Sequence, residues 1–203
     1  MLTPLGLAVL EQLSERPMHP YEMHQQMKDR AYDQVMKLRP GSLYHTVERL
    51  ERAELIVATG TQRSGRRPER TVYALAEAGR DALIDGVRDL LRTPGQEYPA
   101  FAVGVAFMHE LPRAEAVAML EARAVRVAAE IAQREALLGG VLEQGVARLF
   151  LLEAEFLLAS RRAELSWVRS IIDDVKSGRL SWRKTDDPPR LHGLPTTQTE
   201  AHQ

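Results

Sequence analysis

The side chains with the most chemistry to offer lie between Arg39 and Arg70. Ser42, Tyr44, His45, Thr46 and Arg49 fall in one short stretch, and Arg63, Arg66, Arg67 and Arg70 follow in a glycine-containing segment. Planar guanidinium groups pair with phosphate oxygens or reach into a narrow minor groove, while hydroxyl, phenol and imidazole groups can meet base edges. Such a set suits recognition of a nucleic acid better than bond making. The sequence has no cysteine, which excludes disulfides, thiolate metal sites and thiol nucleophiles. It also has no phosphate-binding glycine loop, nucleophile elbow or zinc signature, and Gly139-Gly140 is an isolated pair. His19, His24, His45 and His109 do not share one helical face at metal-ligand spacing and read as surface or capping residues. The expectation is a protein that is not an enzyme and needs neither cofactor nor metal.

Total charge argues neither way, because 27 basic residues nearly balance 28 acidic ones. The distribution is uneven. Between Lys37 and Arg70 eight basic residues face four acidic ones, an excess of four positive charges, which leaves the rest of the chain at −5 beneath a total of −1. A local positive field, not net charge, draws in a polyanion.

These residues must be held by specific elements. With 203 residues, 44% hydrophobic content and only 5% aromatics, the composition favours a mainly α fold with a real core. Pro4, Leu7, Leu10 and Leu13 predict a first helix ending before Pro17, and Pro20 opens a second carrying Met23 and Met27. Pro40 and Gly41 open a third, running to about Ala53, with Leu43, Val47 and Leu50 as its buried stripe. Ser42, His45, Thr46 and Arg49 are expected to point away from that stripe, with Tyr44 on the flank. Two β-prone runs, 56–59 and 71–75, flank the arginine-rich segment and predict a two-stranded wing. Helix three and this wing together predict a winged helix-turn-helix over residues 1–92, ending before Thr93, Pro94 and Gly95.

The second part, 96–178, reads as helical. Val117, Leu120, Ala124, Val127 and Ile131 alternate spacings of three and four in a long helix that begins at Pro112 and ends or kinks near Gly139. A last helix, from about Val146 to Lys176, has two apolar stripes: Leu149, Leu152, Phe156, Ala159 and Ala163, and Leu151, Leu158, Leu165, Val168 and Ile172. Two stripes need two partners, and the chain offers one long helix, so a second copy is expected. Leu149, Leu152, Phe156, Leu158, Leu165, Val168 and Ile172 are the expected dimer contacts. A three-helix packing within one chain, using residues 98–111, is the alternative. Residues 179–203, without apolar periodicity, are expected to form a disordered tail.

Two motif runs extend this reading. RPGSLYHTVERLERAELI from Arg39 to Ile56 and GRRPERTVYALAEAGR from Gly65 to Arg80 resemble the PadR family of transcriptional regulators. The match rests on Pro40, Gly41, Ser42, Leu43 and Tyr44, on Arg49, Leu50 and Glu51, and on Arg67, Pro68, Tyr73, Leu75 and Gly79. Pro20, Tyr21, Glu22 and Met23 resemble the start of the family's second helix. Two departures matter: His19 and Pro20 replace a small residue and a glycine, and Glu54 stands where a glycine often precedes the Leu-Ile pair. The resemblance implies a winged helix-turn-helix with a C-terminal helical dimerisation domain, and a regulator, typically a repressor, that some small molecules release from DNA.

The expected partners are double-stranded DNA with a pseudo-palindromic operator, a second copy of the chain, and a small-molecule effector. The DNA contacts would be Arg39, Ser42, Tyr44, His45, Thr46, Arg49, Arg63, Arg66, Arg67 and Arg70. Tyr98, Phe101, Phe107, Phe156 and Trp167 could line an effector cavity, although aromatic residues at helical spacing are more often core. No signal peptide and no apolar run of membrane length is visible, so a cytoplasmic protein is expected. The alternative function is a helical interaction module without DNA binding.

Overall fold

In the computed structural model, residues 2–62 and 70–182 are described. The chain divides into two compact units at Glu97/Tyr98. The first holds α1 (Pro4–Glu15), α2 (Pro20–Asp29), α3 (Pro40–Arg52), β1 (Ile56–Gln62), β2 (Arg70–Leu75) and α4 (Glu77–Arg92). The second holds α5 (Ala100–Phe107), α6 (Arg113–Glu143) and α7 (Leu152–Ser177), with short 3-10 turns before α6 and α7.

Helix α1 is the hub of the first unit. Of its twelve residues Leu5, Gly6, Leu7, Ala8, Val9, Leu10, Gln12 and Leu13 are buried, so it is enclosed nearly all round, and α2, α3, α4 and β2 pack on it. Thr3 caps its start, accepting from the Gly6 amide at 3.1 Å, and Pro4 sits where no amide is needed. Helix α2 begins with a capping box: His19 Nδ1 accepts from the Tyr21 amide, and Glu22 accepts from the His19 amide, both at 2.9 Å. A histidine thus replaces the usual hydroxyl or amide cap.

Helix α3 buries Leu43, Val47 and Leu50 as the spacing predicts. It ends in a Schellman motif, with Glu54 N donating to Glu51 O and Leu55 N donating to Leu50 O. That motif requires a left-handed residue, and Glu54 supplies it at φ 57.

The wing is longer than the β-prone runs suggest. Strands β1 and β2 pair antiparallel from Ile56↔Leu75 to Gln62↔Arg70, with a bulge between Ala58 and Gly60 that absorbs Thr59. Met18, fully buried, adds a one-residue bridge on the other side of β2: its amide donates to Tyr73 O at 3.0 Å, and the Tyr73 amide donates back at 3.1 Å.

In the second unit α6 and α7 form an antiparallel hairpin. Val127 and Ile131 pack with Leu158 and Leu165, and Leu120 packs with Val168 and Ile172. Helix α6 continues through Gly139 and Gly140 to Glu143 instead of ending there, and the chain turns at Gly145. The predicted dimer seam needs correcting. Leu158, Leu165, Val168 and Ile172 are buried against the chain's own α6, because that stripe is the one its intramolecular partner covers. The other stripe stays open: Leu149 is 72% exposed, Phe156 70% and Leu152 46%. Residues 179–182 also differ from the expected disordered tail. Arg179 Nε donates to Asp174 Oδ1 at 2.6 Å and Trp182 Nε1 to Leu111 O at 3.1 Å; the expectation for 183–203 lies outside the described residues.

Candidate nucleic-acid interface

Helix α3 presents a sorted surface. One face seals the core, and Ser42, Tyr44, His45 and Arg49 lie exposed on the other, with the His45 side chain 84% accessible. Thr46 does not join them. It is 7% exposed, because a position three after Leu43 and four before Leu50 falls on the buried face. Its hydroxyl donates to Ser42 O at 2.8 Å, and its methyl lies beside the first turn of α1, 3.9 Å from where a Cβ on Gly6 would stand.

The front of α3 is open to an anion. Arg39 is its N-cap residue and gives no side-chain cap, Pro40 follows, and Arg39 and Lys37 are both exposed. The connector from Asp33 to Arg39 surrounds an open concavity of about 550 Å³. Amide groups at a helix start, flanked by two cations, form an attractive field for phosphate.

That connector is anchored by a polar network that sequence patterning does not reveal. Arg30 forks onto Glu15 at 2.6 and 2.8 Å, and the Tyr32 hydroxyl donates to Glu11 at 3.0 Å. The Arg30 hydrogen bond holds the Glu15 carboxyl below its ordinary range, and burial, with Glu11 beside it, raises the Tyr32 phenol. No periodicity marks such pairs, since they join residues 15 and 21 positions apart.

Arg49 is held differently. Its Nη2 donates to Thr3 Oγ1 at 3.1 Å, so its partner is a neutral hydroxyl. On the same face Glu48 lies 3.7 Å from His45 Nδ1 and 3.8 Å from Arg52 Nη2. Arg70 is the first residue of β2, opposite Gln62, while Arg63, Arg66 and Arg67 lie outside the described residues.

Residues 9–85 match the model of the transcriptional regulator PadR-like family. The chain carries a PadR-like domain. Among solved structures, Bacillus subtilis PadR in complex with operator DNA matches with a TM-score of 0.70 at 19% identity, over 86% of this chain and 99% of that one. The same Bacillus subtilis protein in complex with p-coumaric acid gives 0.68 at 18% identity, over 85% and 98%. A PadR-like regulator from Bacillus cereus gives 0.60 at 15%, over 86% and 99%. At these identities the structural matches speak for the fold: a mainly helical chain whose two-stranded wing lies within the matched residues 9–85. No curated protein matches the sequence.

Outside the PadR-like domain the candidate effector aromatics do not gather into one cavity. Phe101 meets Trp167 edge to face at 6.0 Å and carries the Arg123 guanidinium 3.6 Å above its ring, so both serve the packing of α5 on the hairpin. Tyr98, Phe107 and Phe156 are largely exposed. Among the described residues no cluster of metal-ligating side chains occurs, and no helix is long and apolar enough to cross a membrane.

Proposed function

We propose that this protein is a cytoplasmic, sequence-selective DNA-binding transcriptional regulator that works as a homodimer on a pseudo-palindromic operator. The observation that carries this reading is the α3 surface: Ser42, Tyr44, His45 and Arg49 exposed together on a helix whose N-terminus is uncapped and flanked by Lys37 and Arg39. These four side chains select bases, and Arg39 with the wing arginines Arg63, Arg66, Arg67 and Arg70 neutralises phosphates.

The open α7 stripe supports the second copy. Leu152 and Phe156 on α7, with Leu149 and Phe150 in the turn just before it, are large apolar side chains left exposed in the single chain, and a second copy would cover them. A twofold pair of α3 helices reads half-sites about one turn, roughly 34 Å, apart. We further propose repression relieved by a small organic effector, a reading supported by the p-coumaric acid complex of the Bacillus subtilis neighbour.

Footprinting on the promoter of the protein's own gene tests the proposal. Two protected patches with approximate twofold symmetry are expected, and uniform or absent protection would leave a helical interaction module as the better account.

A further inference from the structure

The geometry points to Thr3 as a positioning residue for Arg49 in DNA binding: its hydroxyl caps α1 and at the same time fixes the Arg49 guanidinium at the edge of α3. This inference rests on the proposed role of Arg49 at the DNA.

A threonine hydroxyl has two acceptor positions, and here both are used. Oγ1 takes the Gly6 amide at 3.1 Å and Arg49 Nη2 at 3.1 Å. The contact spans 46 positions of sequence and joins the start of α1 to the recognition helix. Close approach of the two helices makes it possible. Gly6 lies between Thr3 and Thr46, and a Cβ there would stand 3.4 Å from Thr3 Oγ1 and 3.9 Å from Thr46 Cγ2.

The partner's neutrality matters. Arg30, Arg123, Arg148 and Arg162 are each held by a carboxylate that orients the guanidinium but offsets its charge. Thr3 orients Arg49 and leaves the charge intact, with the remaining N–H groups of the fork free to face a phosphate or a base edge. A long side chain already held in place loses less freedom on binding, which raises affinity without a new contact.

A double-mutant cycle on the full chain separates this role from simple helix capping. The probes are a fluorescein-labelled duplex from the protein's own promoter and a mixed-sequence duplex, read by anisotropy, with circular dichroism to confirm folding. R49A is expected to weaken promoter binding about tenfold. T3V should weaken it about threefold when Arg49 is present, have no effect in the R49A background, and be rescued by T3S. Equal losses from T3V in both backgrounds, or no loss while R49A is impaired, would overturn the positioning role and leave the DNA reading intact. If R49A binds as the unmodified protein does, the proposed role of Arg49 falls instead, and the inference with it. Should T3V fail to fold, T3D replaces it: aspartate keeps the cap but neutralises Arg49, so the loss must be larger with Arg49 present than in the R49A background.

Discussion

The carbonyl oxygen of Leu55 lies where a side chain on Gly79 would have to go, with an ideal Cβ at Gly79 only 2.0 Å from it. The same oxygen accepts the Ala76 amide at 3.1 Å, so the first turn of α4 is seated directly on the link between α3 and the wing. Glycine is required there by backbone approach. Gly79→Ala is expected to cost about 3 kcal/mol, because the obstacle is main chain that cannot rotate aside. Urea denaturation measures this, and a midpoint equal to that of the unmodified protein would show that the joint is looser than described.

Glu54 offers the opposite case. It occupies a left-handed conformation at φ 57 in the Schellman turn after α3, where an L side chain is strained and glycine is not. Glu54→Gly should stabilise the protein by about 1 kcal/mol net of the entropy glycine adds to the unfolded chain. A lowered melting temperature would mean that the glutamate side chain contributes an interaction that outweighs the strain.

The two residues also show what the sequence made legible. Three hydrophobic positions in α3 and the turn residues around it specify the helix, its ends and its outward face. Thr46 went astray because a threonine beside Leu43 and Leu50 reads as polar, while its methyl packs and its hydroxyl bonds back to Ser42. The Met18 bridge to Tyr73 was illegible because one paired residue carries no period. In α7 both stripes were visible, but composition alone does not say which one the chain's own α6 covers.

That last distinction is testable. Phe156→Asp places a charge on the open stripe and is expected to yield a folded monomer, helical by circular dichroism and half the dimer mass by light scattering. Leu158→Asp should instead unfold the α6–α7 hairpin, at a cost of about 3 kcal/mol or more, since its charge would be buried within one chain. Retention of the dimer by Phe156→Asp would remove that stripe from the interface.

The hairpin also carries a pH signature. Burial pushes the Glu164 carboxyl up, but hydrogen bonds from Arg161 and Arg123 outweigh it and hold the group below the usual range. A depressed folded value adds stability above the unfolded pKa of about 4.3 and loses it as pH falls through the folded value. The melting-temperature gap between the unmodified protein and Glu164→Gln should therefore be constant from neutral to about pH 5 and shrink in stronger acid. A gap that stays constant through acid titration would contradict the assignment.

The most direct test of the central claim is the affinity for the own-promoter duplex, compared with a scrambled duplex of equal length, across a salt series. The account predicts tighter binding to the promoter sequence, an affinity that falls steeply and linearly on logarithmic axes as salt rises, and loss of the sequence preference when Ser42, His45 and Arg49 are replaced by alanine. Equal affinity for the two duplexes, or no binding to either at low salt, would contradict it.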